Sequence, residues 1–241
     1  MVGTSAYVRA RHPVRPRALL LDALGTLVEL RPPAPLLQRE LARRFGIELS
    51  TSQAQHAIAA EIAYYRAHLD EGRDPESLAV LHHRCAQALC VALPPSAALA
   101  RVEADMLTQA LLASLRFRAF ADAPPAILAA RGRGERVVVA SNWDVSLRDV
   151  LARVGLAPLL DGIVTSAHAG TRKPAPEVFE QALGAAGARA GDACHVGDSV
   201  LEDVAGARGA GIEPILLSRD RAPGPPGVRT ITTLSELAGG P

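Results

Sequence analysis

The chain predicts an α/β fold: a doubly wound, Rossmann-like parallel sheet interrupted by an inserted all-helical cap. Three observations lead there. Short Val/Ile/Leu-rich runs alternate with helical patterns through the C-terminal half, a helix-only stretch separates the first such run from the others, and polar residues gather where the apolar runs end.

The first strand is read over Ala18-Leu19-Leu20-Leu21-Asp22, a continuous apolar run of the kind covered on both faces. From about Pro32 to Phe120 the pattern turns helical. Apolar residues recur at helical spacing over 36–45, 53–69, 76–93 and 97–115, with breaks at Gly46, at Gly72-Arg73-Asp74-Pro75 and at Pro94-Pro95. These four helices make a cap over 32–120, with Pro32-Pro33-Ala34-Pro35 and Phe117-Arg118-Ala119-Phe120 as its hinges. Strands are expected next over 136–141, 162–166, 193–198 and 213–218, with helices over 146–154, 176–186 and 200–209. Strand-helix alternation implies right-handed crossovers, so residues 17–31 and 121–241 form one parallel core.

Composition narrows the function. With 241 residues, 49% of them hydrophobic, the chain can bury a substantial core and a second, smaller domain. A net charge of +1 and 3% aromatic residues provide neither a basic stripe nor a stacking platform, which argues against nucleic acid as a partner. No apolar run is long enough to span a membrane. Cys85, Cys90 and Cys194 are odd in number and lack metal-ligand spacing, as expected for core thiols in a reducing cytoplasm. Residues 1–16 read as a frayed tail; with Arg9, Arg11 and Arg15 and no acid, a transit peptide leaves the same signature.

Two unique residues mark a site. Of 26 basic side chains only Lys173 is lysine, and it stands in a Thr-Arg-Lys-Pro-Ala-Pro turn between a strand and a helix. In a chain that otherwise uses arginine, a retained compact ammonium points to a task that a planar guanidinium does not perform. Asn142 is the only asparagine, in Ala140-Ser141-Asn142-Trp143 at a strand end. Asp22, Ser141-Asn142, Lys173 and Gly197-Asp198 with Asp203 all fall at carboxyl ends of strands, where doubly wound sheets bind ligands. Strand-end carboxylates suit Mg²⁺, Lys173 balances their charge, and the Ser141 hydroxyl with the Asn142 N–H can cradle a phosphoryl oxygen.

These residues resemble the haloacid dehalogenase superfamily of aspartate-nucleophile hydrolases with a helical cap. The resemblance spans Arg17 to Ser218. Asp22-Ala23-Leu24-Gly25-Thr26-Leu27 is similar to its first motif, Ser141-Asn142 to the second, Lys173-Pro174 to the third and Gly197-Asp198-Ser199-Val200-Leu201-Glu202-Asp203 to the fourth. It implies Asp22 as covalent nucleophile, Ser141 and Lys173 positioning the transferred group, and Thr26 and Asn142 on the substrate. Mg²⁺ would be held by Asp22, the Leu24 carbonyl and Asp198, with Asp203 a ligand or its support.

One position departs from the family. Its phosphatases carry an acid-base aspartate two residues after the nucleophile, where Leu24 stands here; losing such a group typically costs about 10² to 10⁴ in rate. The implied function is Mg²⁺-dependent hydrolysis of a small phosphorylated metabolite in the cytoplasm, by a monomer or homodimer. Two alternatives stay open: a 2-haloacid dehalogenase, whose chemistry needs neither that acid nor a metal, and a non-catalytic protein that still binds metal and phosphate. Gly197-Asp198 and Asp203 favour the phosphatase. Asp144 is expected to cap a helix, and His82 and His83 to be an exposed pair.

Overall fold

The computed structural model describes residues 18–239, and the tail expected over 1–16 lies outside them. Six strands form one parallel sheet: β1 (Ala18–Leu21), β4 (Arg136–Ser141), β5 (Gly162–Thr165), β6 (Ala193–Gly197), β7 (Glu213–Leu217) and β8 (Arg229–Ile231). Their spatial order is β5-β4-β1-β6-β7-β8, so β1 lies between β4 and β6. Successive side chains of a strand point to opposite faces. Leu19, Leu21, Val137 and Val139 accordingly pack on one face with Ile127 and Leu151, and Ala18, Leu20, Val138 and Ala140 on the other with Val178, Phe179 and Ala182. Both faces are covered by helices, which is why these runs are apolar throughout.

The residues between β2 (Val28–Leu30) and β3 (Phe117–Ala119) are helical: α1 (Pro33–Phe45), α2 (Thr51–His68), α3 (Pro75–Ala92) and α4 (Ala104–Ser114). They enclose a separate apolar cluster that includes Leu37, Leu41, Ile58, Leu81, Leu89 and Leu111. Capping boxes start two of them, Ser50 with Gln53 on α2 and Asp74 with Ser77 on α3.

The structure differs from the expected elements in several places. Pro33 opens α1, a position that suits its fixed φ and missing N–H, so most of the proline segment lies within the helix. The other expected hinge supplies the return strand of an antiparallel ribbon in which Val28 pairs with Ala119 and Leu30 with Phe117. The fourth helix begins at Ala104, because Val102 and Glu103 are extended after a short 3₁₀ turn at Leu99–Arg101. Helix α5 (Ala123–Gly132) and strand β8 complete the core; α6 (Leu147–Arg153), α7 (Ser166–Ala169) and α8 (Pro176–Ala186) follow β4 and β5. Among the described residues no helix is long and apolar enough to cross a membrane.

One acid is enclosed among these helices. Glu61 on α2 is 3% exposed, and burial raises its pKa to about 7 despite a hydrogen bond from Cys85. A carboxyl whose pKa is higher folded than unfolded holds an extra proton in the native state, so its contribution falls as pH climbs from about 4.5 to 7. The span corresponds to up to about 3 kcal/mol. Glu61→Gln should therefore match the parent in urea unfolding near pH 5 and exceed it at pH 8; equal stability at both would show that Glu61 ionises freely.

Candidate active site

The carboxyl ends of β1, β4 and β6 meet at one point. Asp22 continues β1, its N–H donating to the Val196 carbonyl of β6 at 2.9 Å, and the Ser141 hydroxyl at the end of β4 donates to Asp22 Oδ1 at 2.9 Å. Lys173 is 3% exposed. Its ammonium donates to Asp22 Oδ1 at 2.6 Å and to Asp203 Oδ1 at 2.5 Å. Burial alone would lower the pKa of this ammonium; the carboxylates of Asp22 and Asp203 outweigh it and raise the value, which keeps the charge in place.

Asp203 sits in the π-helical turn Val200–Ala205. Oδ1 also meets His195 Nε2 at 2.8 Å and Oδ2 accepts the Ser199 N–H at 2.9 Å, so both oxygens are engaged. Burial disfavours its charge, but Lys173 and His195 prevail and hold the carboxyl below the usual range. The fit depends on Gly197, where a Cβ would lie 2.1 Å from Asp203 Cγ. Asp22 is pushed upward by burial and by Asp203, with Lys173 opposing.

Asp198 lies at the exposed rim and has no ion-pair partner among the described residues. Burial of its carboxyl, then the charges of Asp22 and Asp203, raise it to about 6. Asp22, Asp198 and Asp203 each bring one oxygen within 4.8 Å of the others. In the turn after Asp22, Gly25 donates its N–H to Val28 O at 2.9 Å, so across the trans peptide the Leu24 carbonyl points away from Val28. Gly25 has φ +80°, and a Cβ there would fall 1.9 Å from Asp198 Oδ2, so only glycine lets the two approach. Oxygen donors of this kind fit a hard divalent cation.

Other expected residues are placed differently. The Asn142 side chain ties down the lysine loop, accepting from Lys173 N at 2.7 Å and donating to Lys173 O at 3.0 Å, which leaves its backbone N–H for a ligand. Thr26 is wholly buried, and its hydroxyl has no partner among the described residues, so in this conformation it has no surface to offer a substrate. The Leu24 side chain is 37% exposed. Asp144 accepts the Ser146 N–H at 2.7 Å in a turn before α6 and the Tyr65 hydroxyl at 2.9 Å, both as acceptor. His82 and His83 are half-buried and not exposed as expected, and burial lowers the pKa of His82 against the pull of Asp144.

Tyr65 is one of several links from the helical insertion to the site loops. Gly72 O accepts the Val145 N–H at 3.0 Å, and Ser166 donates to Asp70 at 2.5 Å. Arg172, beside Lys173, pairs with Asp70 and donates to the carbonyls of Arg66 at 2.5 Å and Ala67 at 3.0 Å. Sequence reasoning singled out Tyr65 as a cap residue that could face the substrate, but missed Asp70, Ser166 and His195. The one available signal was a histidine inside the apolar run Ala193-Cys194-His195-Val196.

The profile of the haloacid dehalogenase-like hydrolases matches residues 16–211, and the chain belongs to this family of hydrolases. Haloacid dehalogenase-like hydrolase domain-containing protein 3 of Mus musculus is 29% identical over 217 residues, 86% of this chain and 84% of that protein. Phosphoserine phosphatase of Thermus thermophilus is 33% identical over 112 residues, 46% of this chain and 45% of the relative. In fold, the chain is similar to the putative HAD-hydrolase YfnB of Bacillus subtilis bound to magnesium, with a TM-score of 0.67 and 21% identity over 93% of this chain and 98% of that one. It is also similar to the defluorinating L-2-haloacid dehalogenase Rha0230, with a TM-score of 0.70 and 20% identity over 92% and 94%.

The lysine bridge generates a stability prediction. Lys173→Met leaves Asp22 and Asp203 facing each other without a cation, which should cost about 3–5 kcal/mol in urea unfolding at pH 7. Lys173→Arg should not restore the loss, because a planar fork does not fit the space of one ammonium. Parent-like stability of either variant would contradict this account.

Proposed function

We propose that the chain is a cytoplasmic, Mg²⁺-dependent hydrolase of a small phosphorylated metabolite, acting through an aspartyl-phosphate at Asp22. The observation that carries the reading is the charge of the site: among the described residues three clustered carboxylates face one ammonium, and Asp198 has no ion-pair partner. A phosphate dianion is repelled by such a site until a divalent cation joins it. Asp22, Asp198 and the Leu24 carbonyl would hold the ion, while Asp203, already committed to Lys173, His195 and Ser199, supports the lysine. When bound, Mg²⁺ supplies charge neutralisation for the phosphoryl oxygens.

This chain's own residues account for the remaining steps. Ser141, Lys173 and the Asn142 N–H orient the phosphoryl group. An Asp22 oxygen attacks phosphorus, and the bond to the leaving oxygen breaks with its electron pair remaining on that oxygen. Leu24 has no proton to give, so the leaving group departs as an anion or takes its proton from water. Water then attacks the phosphoryl group and loses a proton to solvent, releasing inorganic phosphate and restoring the Asp22 carboxylate. Residues 32–120 serve as a cap that screens the site, docked through Tyr65, Asp70 and Arg172.

Leu24 favours a second reading, carbon–halogen hydrolysis, in which no leaving-group acid is needed. The two separate in one assay. Purified protein is given phosphate monoesters and 2-haloacids, with and without Mg²⁺, with Asp22→Asn as the blank. Phosphate release that needs both Mg²⁺ and Asp22 is expected; halide release without metal would favour the dehalogenase, and Mg²⁺ binding without turnover the non-catalytic reading. Leu24→Asp should raise phosphate turnover by about 10² or more, and no gain would mean that the acid is not what limits the parent.

A further inference from the structure

Arg219 follows β7 and lies far in sequence from every residue of the site, yet its guanidinium joins the turn after Asp22 to the return strand of the helical insertion. Nε donates to Gly25 O at 3.0 Å and Nη2 to Thr26 O at 2.8 Å. Nη1 and Nη2 each donate to the Asp122 carboxylate at 3.0 Å, and the guanidinium carbon stands 3.6 Å from the centre of the Phe120 ring. Asp122 is fixed in turn by Thr233 Oγ1 at 2.7 Å and Leu234 N at 2.9 Å, and Phe120 N donates to Leu27 O at 3.0 Å. Four directed bonds and a stacked ring use the fork as a lysine cannot.

The gripped turn is the one that brings Gly25 against the Asp198 carboxylate and sets the Leu24 carbonyl on the side away from Val28. We propose that Arg219 is a positioning residue for the nucleophile turn, holding Leu24 and Gly25 in register with Asp198 and fixing that register to the point where the helical insertion rejoins the core. It acts through the backbone and touches no substrate. The effect on metal rests on the Mg²⁺ reading above; the grip on the turn does not.

Arg219→Gln and Arg219→Lys are compared with the parent by calorimetric Mg²⁺ titration, by kcat and KM for p-nitrophenyl phosphate, and by hydrogen exchange of the amides from Gly25 to Val28. The expected result is a Mg²⁺ affinity weakened about 10-fold or more in both variants, a fall in kcat larger than any rise in KM, and faster exchange in that turn. Asp122→Asn, which keeps the shape and removes the charge that orients the fork, should shift the same readouts in the same direction and covers the case in which an Arg219 variant fails to fold. Folded variants with parent-like Mg²⁺ affinity and exchange would overturn the proposal even if their melting temperature fell. A parent that neither binds Mg²⁺ nor releases phosphate would sink the phosphatase reading alone; the exchange rates then decide the role of Arg219, and unchanged rates reject it.

Discussion

A single buried ammonium organises the site. Burying a charge is unfavourable, and only a close, well-bonded set of opposite charges offsets it. Lys173 meets that condition because Asp22, at the end of β1, and Asp203, in the helical turn after β6, approach it to 2.6 and 2.5 Å. Each of the three is then held by something else. Ser141 fixes Asp22, His195 and Ser199 fix Asp203, and Asn142 grips the backbone of Lys173 on both sides. Gly197 contributes by having no Cβ. The parallel pairing of β1 with β4 and β6 is therefore a condition for the chemistry, since a shift in register would move one anchor by a residue.

The same loops that hold the ammonium also hold the helical insertion. Asp144 lies two residues beyond Asn142 and accepts from Tyr65; Arg172 precedes Lys173 and binds the end of α2. Any movement of the insertion therefore pulls on the segments carrying Asn142 and Lys173. On the other side of the site the link runs through the β2–β3 ribbon and Arg219 to the turn after Asp22. The insertion and the nucleophile are thus tied at two separate points.

Much of this was legible in the sequence because its causes are local. β1, β4 and β6 are covered on both faces and must be apolar along their length, so each announces itself, and a polar residue at the end of such a run is conspicuous. The four helices were equally visible from their spacing and breaks. What could not be read has causes that are distant in sequence. The β2–β3 strands are three residues each, and what pairs them is a partner 89 residues away, as in Glu29 with Arg118. Arg219 is one of 25 arginines, and nothing nearby distinguishes it. Thr26 fits the motif in sequence but faces inward, because the turn offers its carbonyl to Arg219 and not its hydroxyl to the site.

Composition and structure meet at Lys173. Every other basic position of this chain is arginine, and where the fork is put to use, as at Arg219, several acceptors lie within its reach. At a 1% exposed site between two carboxylate oxygens, the planar five-donor group is too large and would leave donors unsatisfied in a place without water. The compact ammonium fills the space and leaves Asp198 outside the bridge. That last carboxylate distinguishes the proposed phosphatase from a site built for a neutral carbon–halogen bond. Asp198 stands beside Asp22 and Asp203, where burial of its carboxyl and then those two like charges raise its pKa to about 6. The proposed Mg²⁺, held by these oxygens, would offset that repulsion.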